Sequence, residues 1–299
     1  MFRQSLASTL ILLAVFAFAP YQADNAFGAD PADKNEYTIK LKKPGKGETI
    51  RYVEKETTTT KMTITGAQAK ESDEVEKRDI RYTKSILDRP DGEKRPTKFL
   101  LTYAKYSVTK DGKAAETNDL VGKAVTAEKT DGIFKFQCAQ KLTDADVEIL
   151  NRKFNKPATF DNDDLVAKKA VKIGEEWVID KAVIVKSFTE DVGWELDVNR
   201  SSATGRLMKA YKNEGRQFGV MEIKMILGIK EGPTKDGGAI EKDARFEVAL
   251  TLDACIDGTL HSTAMKNKLR LLIKFKGPNG SVAIDSKGDQ EESETEVAK

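Results

Sequence analysis

An alternation of apolar and polar residues with a period of two is the feature that most limits what this chain can fold into. It is clearest in three late segments, 220–229, 245–253 and 268–276, where every second residue is apolar. Side chains of a strand point alternately to opposite faces, so each segment predicts a strand with one buried face. A parallel sheet would be apolar on both faces, so the pattern favours an antiparallel meander.

The first half of the chain shows the same period. Further strands are predicted near 49–53, 58–65, 80–87, 99–108, 121–128 and 133–138. The turns between them are rich in Asp, Asn and Gly, as at Asp111-Gly112 and Asp131-Gly132, and these residues tolerate the positive φ angles of hairpins. The expected fold class is mostly β, with two antiparallel meander halves of half-barrel or sandwich-like form.

One short helix is predicted to connect the halves, near 143–154. Thr143 suits its N-terminal cap, acidic residues fill its first turn, and Pro157 follows its end. The domain boundaries expected from this arrangement are a signal peptide at 1–28, an N-terminal β half at 29–160, a C-terminal β half at 161–287 and an acidic tail at 288–299. The acidic tail is predicted to fray in solvent.

The N-terminus has the pattern of an export signal. Arg3 precedes an apolar run at 10–19, which has the length of a signal-peptide core and is too short to span a bilayer. Small residues place cleavage after Gly28, with Ala29 as a close alternative. No cysteine precedes Cys138, so lipid attachment beside the signal is excluded. We therefore expect a soluble protein, periplasmic or extracellular, that is not a lipoprotein and has no integral membrane span after cleavage.

Composition excludes several classes of function. Lys and Arg number 50 and Asp and Glu 48, which gives a net charge of +2 at pH 7 and no electrostatic reason to expect a nucleic-acid partner. The chain has two cysteines and one histidine, too few for a disulfide scaffold or a multi-histidine metal site. We expect no metal and no cofactor.

The two cysteines are predicted to remain free thiols. Cys138 shares a predicted strand face with Phe136, whereas Cys255 continues the outward face of Asp253. Side chains on opposite faces of a sheet do not meet the geometry of a disulfide.

One functional hypothesis, a hydrolase, rests on His261. An imidazole can activate a thiol such as Cys255 or a serine, but the chain has neither a G-x-S-x-G elbow nor a glycine-rich phosphate loop. The acidic stretch 161–164 begins like a calcium loop and lacks the later ligands. We therefore expect no catalytic residues and no enzyme activity.

Two resemblances add to this interpretation. The signal peptide, the segment 43–52 and the segment 170–177 before long strands resemble those of uncharacterised exported bacterial proteins with domains of unknown function, a group that supplies no catalytic residues. The later strands are more loosely similar to the LolA/LppX lipoprotein-carrier superfamily. That second resemblance implies a concave sheet with an apolar interior and helices as a lid.

The apolar face of the late strands is the candidate ligand site. Its residues are Met221, Ile223, Met225, Leu227, Phe246, Leu250 and Leu271. They either pack as an ordinary core or line a cavity for an acyl chain, where flexible methionines suit a variable guest. The expected function is a non-catalytic binding or carrier module for an apolar ligand, or for a lipidated or protein partner in the bacterial envelope. The alternative is a structural or adhesive envelope protein acting through exposed strand edges.

Overall fold

The computed structural model describes residues 35–65, 69–93, 95–114, 118–155, 161–192, 194–233, 238–277 and 280–297. The predicted signal peptide at 1–28 lies outside these residues. The strands are β1 (Thr49–Ile64), β2 (Lys70–Asp88), β3 (Lys98–Lys110), β4 (Lys113–Ala114), β5 (Ala124–Thr130), β6 (Ile133–Cys138), β7 (Glu176–Val178), β8 (Leu196–Asn213), β9 (Arg216–Ile229), β10 (Gly232–Pro233), β11 (Ala239–Ile240), β12 (Arg245–Cys255), β13 (Ser262–Gly277) and β14 (Gly280–Glu296). The helices are α1 (Asp144–Phe154), α2 (Asn162–Leu165) and α3 (Lys181–Val192).

The strands form one large antiparallel sheet that is not closed. The spatial order is β6-β5-β3-β2-β1-β14-β13-β12-β9-β8-β7, with β4 paired to β3 and β11 linking β10 to β13. The mostly β, antiparallel fold predicted from the period of two is confirmed. Among the described residues, no helix has both the length and the apolar character needed to cross a membrane.

The middle of the sheet is built by the first and last long strands. β1 and β14 pair from Ile50 opposite Glu296 to Ile64 opposite Val282, and each also pairs with its hairpin neighbour, β2 or β13. The prediction that the acidic tail frays was wrong for residues 288–296, which belong to β14. The prediction treated every glutamate of the tail as solvated. Glu292 and Glu294 instead have the same parity as the buried Gln290, so they face the side of the sheet that the helices cover.

One face of the sheet, here called the covered face, carries three apolar clusters, and the two largest are named here. The N cluster comprises Tyr52, Ile80, Tyr82, Ile86, Phe99, Leu101, Tyr103, Leu120, Val125, Ala127, Phe134, Ile149 and Leu150. The C cluster comprises Leu165, Ile179, Ile184, Val185, Leu196, Ala203, Ile223, Met225, Leu227, Ile229, Ala244, Phe246, Val248, Leu250, Leu269, Leu271, Ile273 and Ile284. The opposite face is polar and carries cross-strand ion pairs such as Lys266–Glu291 at 2.7 Å. This two-sided pattern is typical of an antiparallel sheet with one solvated face.

A helix covers each of these two clusters. α1 contributes Ile149 and Leu150 to the N cluster, and its predicted start is confirmed, because the Thr143 side chain accepts a hydrogen bond from the backbone N–H of Asp146. α3, which the sequence analysis did not predict, contributes Ile184 and Val185 to the C cluster. Both helices therefore lie on the covered face.

Candidate functional site

The seven residues predicted to bind a ligand are all buried on the covered face. Six of them belong to the C cluster, under Ile184 and Val185 of α3. Met221 packs in a neighbouring cluster with Leu252 and Ile39. In this state the predicted ligand face is occupied by side chains of the chain itself.

A strip of polar side chains separates the N cluster from the C cluster. This polar band consists of Tyr52, Glu54, Glu56, Arg78, Lys153, Gln290, Glu292 and Glu294. The register of β1 and β14 places Tyr52 opposite Glu294, Glu54 opposite Glu292 and Glu56 opposite Gln290. Two carboxylates directly opposite one another repel, so the band needs compensating cations.

Lys153 of α1 supplies one of these cations. Its ammonium donates a hydrogen bond to Glu54 Oε2 at 2.9 Å and lies 4.2 Å from the centre of the Tyr52 ring and 5.1 Å from that of Tyr82. The Tyr52 hydroxyl donates a second bond to Glu54 at 3.0 Å. Burial raises the pKa of Glu54, but the Lys153 charge and these hydrogen bonds outweigh it, and the net pKa is lowered.

Two carboxyls of the polar band are less well compensated. Burial raises the pKa of Glu56 to about 7 although the charge of Arg78 opposes it, and Glu56 Oε2 has no hydrogen-bond partner. Burial and the negative charges of Glu294 and Glu54 raise the pKa of Glu292 to about 7. Shifts of this size and cause are typical of functional sites.

Glu294 joins the polar band to a cavity of about 260 Å³ at one end of the sheet. Its wall includes five basic side chains and three acidic ones, namely Lys42, Lys43, Lys84, Arg89, Arg95, Asp161, Asp163 and Glu294. The acidic stretch 161–164 lies at this cavity, where Asp161 and Asp163 pair with Lys43 at 2.6 and 2.7 Å. Within the described parts of the chain, no group of three or more His, Cys, Asp or Glu residues is arranged to hold a metal ion.

His261 and Cys255 both line this cavity, but their hydrogen bonds lead to different partners. His261 Nδ1 lies 2.8 Å from the carbonyl oxygen of Lys42, and Nε2 lies 2.7 Å from Glu294 Oε2. The backbone carbonyl accepts a hydrogen bond from Nδ1, so Nε2 is the ring nitrogen that faces the carboxyl group of Glu294. Burial alone would raise the pKa of Glu294, but the hydrogen bond from His261 and nearby positive charges lower it to about 2. The imidazole is therefore engaged with Glu294 rather than with a nucleophile.

Cys255 is buried, with 1% of its surface exposed. It keeps the face that it was predicted to share with Asp253, because Leu252, Ala254 and Ile256 pack together on the covered face, and the register of β12 and β9 continues through Cys255 opposite Phe218. The thiol donates to Asp257 Oδ1 at 3.2 Å. Cys138 and Cys255 are both free thiols.

The glutamates of the polar band are the candidate residues that sequence reasoning missed. Glu54 and Glu56 have the same parity as Ile50 and Tyr52 in β1, so the period of two places all four on one face. That signal was present in the sequence. It was overlooked because charged residues were assigned to solvent.

Comparisons with known proteins give weak structural likenesses. No protein-family model and no curated protein matches the chain. A structure described as lipid-protein interactions in lipovitellin aligns over 82% of this chain at 8% identity, with a TM-score of 0.36, and the chain spans only 25% of that protein. A LolA superfamily protein from Nitrosomonas europaea aligns over 87% of this chain and 90% of its own, at 9% identity and a TM-score of 0.15. An outer membrane channel from Pseudomonas putida F1 aligns over 90% and 99%, at 10% identity and a TM-score of 0.20.

Proposed function

We propose that this protein is a non-catalytic binding or carrier protein that holds an amphipathic ligand on the covered face of its sheet. The observation that carries the proposal is the polar band, a strip of buried charge between two apolar clusters. Burying charged groups costs free energy unless each is paired, and apolar residues would fill this position more cheaply. A ligand with an apolar chain and a polar head supplies both kinds of contact that the face offers.

Movement of a covering helix would give a ligand access to the covered face. α3 covers the C cluster through Ile184 and Val185, and Val183 on the same helix is 39% exposed. Displacing this helix from β8 would open the C cluster, which includes Met225 and Leu227, and methionine side chains repack easily around a flexible chain. We place this activity in an exported compartment, periplasmic or extracellular, as the N-terminal pattern predicts.

Binding of a neutral apolar dye, N-phenyl-1-naphthylamine, tests this function. We expect saturable binding of about one dye per chain, competed by amphiphiles with a ten-carbon chain. Ile184→Ala loosens the contact between α3 and the sheet and is expected to speed dye association several-fold. Val183→Ala, on the same helix but largely outside the contact, is the matched control. Absence of dye binding in both the unaltered protein and Ile184→Ala would refute the proposal, because the clusters would then be a closed core.

A further inference from the structure

One carboxylate of the polar band forms no ion pair within the described part of the chain. Three of its four carboxylates have a basic partner, because Glu54 meets Lys153 at 2.9 Å, Glu56 meets Arg78 at 3.6 Å and Glu294 meets His261 at 2.7 Å. Glu292 is the fourth. Throughout the described part of the chain, no basic side chain forms an ion pair with it. It accepts a long hydrogen bond from the Gln290 amide at 3.4 Å, and the Tyr52 hydroxyl, which donates to Glu54, also lies within hydrogen-bonding reach of it.

The surroundings of Glu292 are suited to an organic cation. Glu54 lies directly opposite in the register, so two carboxylates face the same space. The Tyr52 and Tyr82 rings stack beside it, with centres 4.5 Å apart. The hydroxyl of Tyr103, whose ring centre is 5.1 Å from that of Tyr82, is buried without a hydrogen-bond partner.

The chain itself shows which chemical group this place accepts. The Lys153 ammonium sits over the Tyr52 ring and bonds Glu54, which combines a cation–π contact with a charge-assisted hydrogen bond. Lys153 is the penultimate residue of α1, so its ammonium leaves the site if that end of the helix lifts. One ammonium placed between the two carboxylates could bond both of them, whereas Lys153 bonds only Glu54 and acts on Glu292 through its charge alone.

We propose that the space between Glu54 and Glu292, beside Tyr52 and Tyr82, binds the organic ammonium head group of the ligand, and that Lys153 holds this place when no ligand is bound. This inference rests on the proposed function, since it assigns the head group of the same amphiphile. Entry of the ligand ammonium displaces Lys153 and frees the C-terminal end of α1. Binding at the head group and movement of the helix are thereby coupled.

Competition for the bound dye by two ten-carbon amphiphiles, decylammonium and decanoate, tests the inference below their micellar concentrations. We expect the ammonium compound to compete roughly tenfold more strongly. Glu292→Gln should remove this preference while leaving decanoate binding unchanged. Glu291→Gln is the matched control, because Glu291 is the adjacent residue on the opposite face and pairs with Lys266. Lys153→Gln, which vacates the place, should strengthen ammonium binding several-fold.

The outcomes separate the two proposals. If neither amphiphile displaces the dye, both proposals fail. If both compete equally, or if Glu292→Gln keeps the same preference as Glu291→Gln, the head-group inference is overturned and the binding function stands. Circular dichroism and thermal melting of each variant verify that its fold is retained.

Discussion

At the scale of single residues, the ion pair between Lys153 and Glu54 should contribute strongly to stability. Glu54 is 5% exposed, so Lys153→Met leaves a buried carboxylate without its cation. Breaking one side of a buried pair typically costs about 3 kcal/mol, and we expect a loss of about this size in the free energy of unfolding, measured by denaturant titration at pH 7. Lys172→Met, which removes an exposed pair with Glu36, is the control and should change stability by less than about 1 kcal/mol. Equal effects of the two substitutions would contradict this assignment.

The raised pKa of Glu56 predicts how the free energy of unfolding depends on pH. Its pKa is about 7 in the folded protein against 4.5 for a free side chain. Between these values the folded state holds a proton that the unfolded state has lost, so the free energy of unfolding falls as pH rises from 4.5 through about 7 and levels off once both states have lost the proton. Glu292, with the same raised pKa, acts in the same direction. The lowered pKa of Glu294, about 2, stabilises the fold above pH 4.5 and loses this effect only as the pH falls toward 2, outside this window.

Denaturant titrations at pH 5 and pH 8 measure this effect. We expect the unaltered protein to be less stable at pH 8, and Glu56→Gln to lose a smaller part of its stability between the two values because its amide does not titrate. The difference should be on the order of 1 kcal/mol or more. Parallel losses in the two proteins would show that Glu56 does not carry the effect.

Single residues also show that the sequence pattern does not predict long-range side-chain partners. The parity of Glu54 in β1 predicts its face, but its cation comes from Lys153, 99 residues away. Local period carries no information about such a distant partner. The same limit explains why Glu292 and Glu294 were assigned to a frayed tail, since their burial depends on strands and a helix that the tail sequence does not contain.

At the scale of elements, the packing of β7 on β8 depends on a glycine. A Cβ atom at Gly205 would lie 2.3 Å from Cε2 of Trp177, and Trp177 is held by a hydrogen bond from its indole N–H to the carbonyl of Leu165 at 2.9 Å. Gly205→Ala is therefore expected to destabilise the protein by about 2 kcal/mol. Gly277→Ala is the control, because its Cβ meets the Gly280 oxygen at an ordinary 3.6 Å. Thermal melting compares the two, and similar melting temperatures would contradict the proposed contact.

The helices differ in how far the sequence predicts them. α1 has a capping box at Thr143 and Asp146, a local signal that is sufficient by itself. α3 was missed because Val183, Ile184 and Val185 form a β-branched run that favours a strand. Its N-terminal signal was Asp180, whose carboxylate accepts from the backbone N–H of Ala182 at 2.9 Å. Packing of Ile184 on the C cluster overrides the local preference.

At the scale of the whole molecule, β14 holds the two parts of the sheet together. Removing residues 288–299 deletes the strand positions that pair with 50–58 of β1 and 262–269 of β13. We expect the truncated chain to lose cooperative unfolding, as followed by near-ultraviolet circular dichroism and gel filtration. Removing only residues 298–299, beyond β14, is the control. A truncated protein with an unchanged melting temperature would support the frayed tail that the sequence first suggested.

The strands of this fold could be predicted from the sequence, but the pairing of β1 with β14 could not. Period and turn residues identify the hairpins, such as β8 with β9, because those pairings are local. The pairing of β1 with β14 joins strands about 230 residues apart, and nothing in the alternation specifies it. That pairing creates the polar band, so the candidate site followed from long-range topology rather than from a motif.

Native mass spectrometry of the protein, purified without detergent from an exported fraction, tests whether the covered face carries an amphiphile. We expect an extra mass that leaves on denaturation and corresponds to a molecule with an apolar chain and an ammonium group. A protein found only at its own mass, which also fails to bind the apolar dye or decylammonium, would contradict the proposed binding function.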